Sequence, residues 1–317
     1  MIPRIGIVTF AGDMHGHFVK KRLEDQHGAW CCLIPSDELA RRGNLTWSSQ
    51  FDSPALVPTM DNTTVDVKTL NALWYRRTSA KQTMPDGADE DYQAYVTGSI
   101  NKTLLGILLN GFHGRWVSHP VATRLAENKL LQLRAAQRAG LRIPATLVSQ
   151  DPALIRSFCA AHPGAILKSV SATRGTPFAV TAVASQELLD NDDVLALAPS
   201  IYQERIPGTR HLRISVVGER CDGALIEAEA LDWRLDLTVP FRPYPLDGEL
   251  QDRLRAMLRD LGLVMGIFDV KLTDDGEQVL LEVNSQGQFL FVEGLCGIPL
   301  GDIFTDFLAD QARQDLE

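Results

Sequence analysis

The sequence predicts a mixed α/β protein built as successive lobes: an α/β lobe, a small central lobe and a lobe dominated by an antiparallel sheet. Apolar runs alternate with helix-like stretches through the first part of the chain, which is the grammar of βαβ units. Beyond residue 200 the apolar runs are separated by short Gly-containing turns instead, as in strands that double back. At 317 residues, the chain is also too long for one small core. Boundaries near residues 118 and 200 divide it into 1–118, 119–200 and 201–317.

Taken in order, the run 4–10 reads as a strand, 17–26 as a helix and 30–34 as a second strand. The polar stretch 41–64 looks irregular, strand character resumes over 70–75 ahead of Arg76 and Arg77, and a helix is expected over 89–110. The strand-like 115–118 is followed by Pro120, which marks the first boundary. One helix over 123–139 would close at Gly140, a residue type suited to the left-handed cap. Strand 143–149, helix 152–161 and a strand 165–170 bearing Lys168 follow, then a small polar loop over 169–175 and a strand over 177–183. Strands are expected at 200–206, 211–217 and 223–229. A helix over 246–261 would bury Leu250, Leu254, Met257, Leu258 and Leu261 along one stripe.

Hydrophobic residues make up 45% and charged residues 22%, so the chain should fold throughout. The formal net charge of -9 argues against a nucleic-acid partner, which would need a basic surface. The five cysteines show neither C-x-x-C spacing nor clustered histidines, which leaves reduced thiols in a cytoplasmic protein as the expectation. Apolar stretches are too short to span a bilayer, and no export signal is visible, so no membrane partner is expected.

Residues 265–284 are the most informative. Asp275-Gly276 between two apolar runs predicts a two-residue hairpin loop, pairing Asp274 with Glu277 and setting Asp269 opposite Glu282. Alternation then puts Phe268, Val270, Leu272, Val279, Leu281 and Val283 on one face, and Asp269, Lys271, Glu282 and Asn284 on the other. Opposed acids weaken a sheet unless a cation lies between them, and the oxygen donors of Asp269, Glu282 and Asn284 suit magnesium. A solvated face with incidental charges is the alternative.

The segment Glu282-Val-Asn-Ser-Gln-Gly-Gln-Phe289, preceded by Phe268-Asp-Val-Lys271, resembles the metal-binding end of the ATP-grasp ligases. It is most similar to the graspetide, or microviridin-type, branch that macrocyclises peptides. Leu73-Trp-Tyr-Arg-Arg77, Ala126-Glu-Asn-Lys-Leu-Leu-Gln-Leu133, Ile143-Pro-Ala-Thr146, Tyr202-Gln-Glu-Arg-Ile206, His211-Leu-Arg213 and Asp232-Trp-Arg234 extend the resemblance over nearly the whole chain. It implies an ATP-grasp fold with an N-terminal pre-ATP-grasp domain, ATP and Mg2+ as cofactors, and a precursor peptide as partner, with a homodimer the expected assembly. Lys129 and Lys168 become phosphate-facing cations, Lys168 and Arg213 catalytic, and Gln203, Glu204, Arg205, Ile206 and His211 part of the ATP site. Asp269, Glu282 and Asn284 become the metal ligands, and Trp233, Arg234 and the loop residue Arg174 the substrate-binding candidates. Two positions depart from the pattern: His211 stands where relatives carry a ribose-binding acid, and Ser285 replaces the proline after the metal-binding asparagine.

The expected reaction activates a peptide side-chain carboxylate as an acyl phosphate, which an amine or hydroxyl then attacks to give an amide or ester. Two other readings stay open: a ligase adding glutamate or a similar residue to a peptide or protein terminus, and a peptide-binding relative without turnover. No P-loop and no nucleophile elbow is present in the sequence.

Overall fold

The computed structural model describes residues 1–50, 53–78, 81–170 and 181–316. Its first lobe contains strands β1 (Arg4–Thr9) and β2 (Trp30–Pro35), joined by helix α1 (Met14–His27). Asp13 starts α1 by accepting the Gly16 N–H at 3.2 Å, and Gly28, at φ +61°, ends it. A short helix α2 (Leu39–Arg42) and a ribbon of β3 (Leu56–Pro58) and β4 (Thr64–Asp66) occupy the stretch expected to be irregular. Three-residue strands are too short to show alternation in sequence, which is why they were illegible. Strand β5 (Ala72–Tyr75), helix α3 (Gln93–Gly111) and strand β6 (Arg115–Val117) complete a sheet of order β2-β1-β5-β6, parallel throughout.

The expected single helix over 123–139 is two helices, α4 (Pro120–Ala126) and α5 (Lys129–Arg138). Asn128 takes an extended backbone between them, and its side chain accepts from the Leu130 and Leu131 amides at 3.0 and 3.3 Å. Lys129 therefore opens a helix rather than lying within one. Gly140 has the expected left-handed backbone, with φ +74°. The central sheet is antiparallel in the order β7-β10-β8-β9, from β7 (Thr146–Ser149), β8 (Ile166–Lys168), β9 (Ala182–Val183) and β10 (Ser200–Gln203). Helices α6 (Pro152–Ala161), α7 (Gln186–Leu189) and α8 (Asp192–Leu197) accompany it. Arg174, with most of the small polar loop, lies outside the described residues.

The third sheet runs β13-β12-β11-β14-β15, built from β11 (Arg210–Val217), β12 (Arg220–Glu227), β13 (Phe241–Tyr244), β14 (Met265–Leu272) and β15 (Gln278–Asn284). Helix α9 (Gly248–Asp260) buries Leu250, Leu254, Met257 and Leu258 against one face, together with Ala135 and Ala136 of α5. The β14–β15 hairpin differs from its expected turn. Thr273, not Asp274, pairs with Glu277, leaving a three-residue loop in which Gly276 has φ +88°. A bulge between Asp269 and Val270 absorbs the extra residue, so Asp269 still faces Glu282. Leu280 rather than Leu281 consequently joins the core with Phe268 and Val270, while Val279 pairs with Lys271. The acid face is not an open solvated one: Asp269 and Lys271 are each 7% exposed, and Glu282 and Asn284 are half-buried.

After the hairpin, α10 (Leu290–Cys296) and α11 (Leu300–Gln314) return the chain to the first lobe. Ile5, Ile7 and Trp74 of the parallel sheet share a core with Phe304 and Leu308 of α11, while Val8, Ile34 and Leu73, on the opposite face, pack with Ile107 and Leu108 of α3. Covering on both faces explains why these strands read as continuous apolar runs. The first and last parts of the chain thus enclose one core.

Candidate active site

A cavity of about 1210 Å³ is walled on one side by residues of the parallel-sheet lobe, among them Phe10 and Arg76, and on the other by Arg213, Trp233, Arg234 and the segment after β15. Lys129 lines this cavity and also a smaller pocket that includes Lys168, Gln203, Ile201, Leu281 and Glu282.

The acids are neutralised separately. Arg213 Nη1 donates to both oxygens of Asp269, at 2.7 and 2.8 Å, and its Nη2 donates to the Gln288 carbonyl at 3.3 Å. Lys129 is hydrogen-bonded to Glu282 Oε2. Arg234, held by both Asp232 oxygens at 2.7 Å, lies 3.6 Å from Glu282 Oε1. Asn284 Nδ2 donates to the same Oε1 at 3.3 Å. Burial pushes the Asp269 carboxyl up against the pull of Arg213, and the Glu282 charge adds to the rise. Burial acts on Glu282 too, but Lys129, Arg234 and Lys168 outweigh it and bring its carboxyl down to about 2.

Lys168 Nζ donates to Gln203 Oε1 at 2.8 Å, and Gln203 Nε2 donates to Thr146 Oγ1 at 3.0 Å. Each residue ends its own strand, but the antiparallel register pairs Lys168 with Ile201 and Gln203 with Ile166, so the two side chains meet diagonally across the ladder. Burial lowers the Lys168 ammonium, with Glu282 acting the other way. The Glu204 carboxylate accepts the Ala145 N–H at 3.0 Å, tying the start of the β10–β11 connection to the segment before β7. Arg205 is exposed and Ile206 buried just beyond. His211 Nε2 lies 2.9 Å from Lys271 Nζ; burial and then Lys271 pull the imidazole down to about 4, so it is the acceptor of that bond. Trp233 is 5% exposed, packs with Phe241 and Phe291, and contributes to the cavity lining, whereas the Arg234 side chain is half exposed.

The described residues hold no group of three or more His, Cys, Asp or Glu side chains that could ligate a metal. Two carboxylates and the Asn284 amide oxygen form a different donor set, all oxygen, which matches a hard divalent ion. Burial, more than the Glu282 charge, raises Asp269, and a divalent ion beside the two carboxylates would favour their ionised forms.

Sequence reasoning did not assign a role to a second cluster, which spans the lobes. Arg76 is paired with Asp13 at 2.5 Å, and His15 Nε2 accepts the Phe289 and Leu290 amides at 3.0 and 3.2 Å. Arg76 and Arg77, directly after a buried strand, were the available signal.

Three lobes, with the acid-bearing sheet and two half-buried lysines meeting at one cleft, define an ATP-grasp protein, and the chain has that fold. Residues 4–124 match the family model described as the MvdD pre-ATP grasp domain. The structure is similar to that of macrocyclase MdnC from Microcystis aeruginosa MRC, solved with precursor peptide MdnA, with a TM-score of 0.87 and 26% identity over 97% of this chain and 99% of that one. Macrocyclase MdnB from the same organism aligns with a TM-score of 0.81 at 25% identity, over 96% and 99% of the two chains. A RiPP-associated ATP-grasp ligase from Chryseobacterium gregarium, in complex with ADP and a leader and core peptide, gives 0.87 at 23% identity over 98% and 97%. No curated protein matches the sequence. The resemblance read from the motifs therefore holds: the chain joins an MvdD-type pre-ATP-grasp domain to an ATP-grasp fold similar to that of the peptide-modifying ligases. Among the described residues no helix is long and apolar enough to cross a membrane.

Proposed function

We propose that the chain is an ATP-dependent ligase that crosslinks a precursor peptide through its side chains. A peptide carboxylate oxygen attacks the γ-phosphorus of ATP, giving an acyl phosphate and ADP. A lysine amine or a serine or threonine hydroxyl of the peptide then adds to the acyl carbon, loses its proton, and expels phosphate to leave an amide or ester. The observation that carries this reading is the charge arrangement at the cleft: Arg213 on Asp269, Lys129 on Glu282, and Lys168 beside both, next to a cavity large enough for a peptide segment.

The smaller pocket would mark the ATP side of the cleft, where the apolar Ile201, Leu280 and Leu281 suit a base and Lys129 and Lys168 suit phosphates. The backbone of Arg205 and Ile206 would read the adenine edge, with Glu204 and His211 beside it. Asp269, Glu282 and Asn284 would hold magnesium, which when bound shares the phosphate charge. Lys168 and Arg213 stabilise the negative charge that builds on the transferred group, the part of such reactions that positioned cations accelerate. Trp233 and Arg234 line the acceptor side, Arg234 keeping its Nε–Nη2 edge on Asp232 and offering its Nη1 side to a peptide carboxylate. Arg174 would add a contact to the substrate. We propose a cytoplasmic homodimer as the working form, which light scattering on the purified protein tests.

The test combines the protein with magnesium ATP and a candidate precursor peptide rich in Thr, Ser or Lys and in Asp or Glu. Peptide-stimulated ADP release, with loss of one water mass per bond formed, supports the proposal. ADP release without any change in peptide mass contradicts it, and transfer of a free amino acid onto the peptide terminus would replace it with the terminal-ligase reading.

A further inference from the structure

The acids at the cleft are balanced from within the chain. Asp232, Asp269 and Glu282 stand against Arg234, Arg213 and Lys129, with Lys168 in addition, so no negative charge is left over among them. Glu127, which also lines the large cavity, is exposed and screened by solvent. A divalent ion arriving alone would meet carboxylates of the right chemistry whose attraction is already cancelled.

The cations differ in how firmly they are held. Arg213 Nη1 donates to both oxygens of Asp269, its Nη2 donates to the Gln288 carbonyl, and the residue is 6% exposed. Arg234 keeps both oxygens of Asp232 and approaches Glu282 only to 3.6 Å. Lys129 has a single hydrogen bond among the described residues, to Glu282 Oε2. Its side chain is 30% exposed and that of Glu282 23%, so this pair sits where an incoming group can reach it. Lys129 lines both the smaller pocket and the large cavity, and its flexible stem carries a point charge rather than a planar fork. Burial raises the Glu282 carboxyl, and Lys129 leads the charges that bring it down, ahead of Arg234 and Lys168.

The place of Lys129 in its helix points the same way. It is the first residue of α5, directly after the capping Asn128, where the helix dipole is positive and disfavours a cation. Its position is therefore not explained by helix stability, and its partner is a carboxylate 153 positions away.

We propose that Lys129 is an internal counter-ion of Glu282, holding the carboxylate until a metal-bound phosphate gives the ammonium a second anion to pair with. Lys129 then exchanges one ion pair for another, and Glu282 becomes available as an oxygen ligand. The inference rests on the reading of Asp269 and Glu282 as metal ligands, and it adds an order: the ion enters with the nucleotide rather than before it.

Mn2+ takes oxygen ligands as magnesium does, and its solution resonance spectrum falls as it binds, so titrating the nucleotide-free protein with Mn2+ alone tests the proposal. Wild type should take up the ion weakly, and Lys129→Met should show a site about tenfold tighter or more, the scale of removing a unit charge a few ångströms from a divalent ion. Lys129→Met combined with Glu282→Gln should lose that site again, which a merely structural role for Lys129 would not produce. Lys129→Gln keeps a donor without the charge and carries the test if thermal unfolding shows Lys129→Met to be unfolded. Adding ADP should give wild type the uptake it lacks alone. A wild type that binds Mn2+ as tightly as the Lys129 variants, or a gained site that survives Glu282→Gln, overturns the counter-ion. ADP-dependent uptake by wild type with no gain in the variants also overturns it and leaves the metal ligands standing. No uptake by any of these proteins, with or without ADP, overturns both. A Glu282-dependent site in Lys129→Met, beside a wild type that releases no ADP with ATP and peptide, keeps the counter-ion and loses the ligase reading.

Discussion

Asp269 and Glu282 face each other across the β14–β15 ladder, yet each carboxylate is neutralised by a different cation, Arg213 from the neighbouring strand and Lys129 from the start of α5. The site is thereby assembled from three separate elements, and each contributes a charge that can be removed singly.

Lys168 is half-buried, held by Gln203, and lies within the field of both acids. Lys168→Met keeps much of its length without the charge and should lower ADP release by about two orders of magnitude, the scale of losing an electrostatic contact to the transferred group. Gln203→Leu, which removes the bonds to Lys168 and Thr146 but leaves the ammonium charge in place, should cost less. Initial-rate measurements at saturating ATP distinguish them; a Gln203→Leu defect larger than that of Lys168→Met would contradict this ranking.

Arg234 lies between Asp232 and Glu282 with half of its side chain exposed. Arg234→Ala should raise the KM for peptide more than the KM for ATP, because its half-exposed side chain lines the large cavity. The opposite ratio would move Arg234 to the nucleotide side.

Stability should fall on mild acidification. His15 and His211 are each held near 4, chiefly by burial, with Arg76 and Lys271 respectively adding to the depression and Asp13 and Asp232 opposing it. The unfolded chain takes up these protons below about 6.5 and the folded chain does not until about 4, so stability is full above that window and is lost as pH falls through it. Asp13, held at about 2, adds a loss only below about 3.8, while Asp269, raised by burial, works against the trend. His15→Gln can still accept an amide and should reduce the proton uptake on unfolding by up to one. Chemical denaturation at several pH values reads this directly, and an unchanged pH slope would place His15 outside the effect.

The hairpin was the most legible part of the site, because alternating apolar residues around Asp275-Gly276 constrain the register even though the loop is one residue longer than expected. The bulge that restores the pairing leaves no mark in composition. The break between α4 and α5 depends on one capping side chain, Asn128, inside a stretch whose spacing suits a continuous helix. The Trp74–Gln286 contact joins residues 212 positions apart, and no local pattern reports such a pair. The return of α11 onto the parallel sheet is equally non-local; its Phe304, 4.4 Å from Trp74 between ring centroids, reads in sequence only as another apolar residue.

The central claim is that the facing acids serve a nucleotide-bound divalent ion. Glu282→Gln preserves the shape of the side chain and removes its charge, so the account predicts a folded protein whose magnesium-dependent, peptide-stimulated ADP release falls by about two orders of magnitude or more. Thermal unfolding measured beside ADP release separates a lost ligand from a lost fold. If Glu282→Gln is folded and releases ADP at the wild-type rate, Glu282 does not hold the catalytic metal and the account is contradicted.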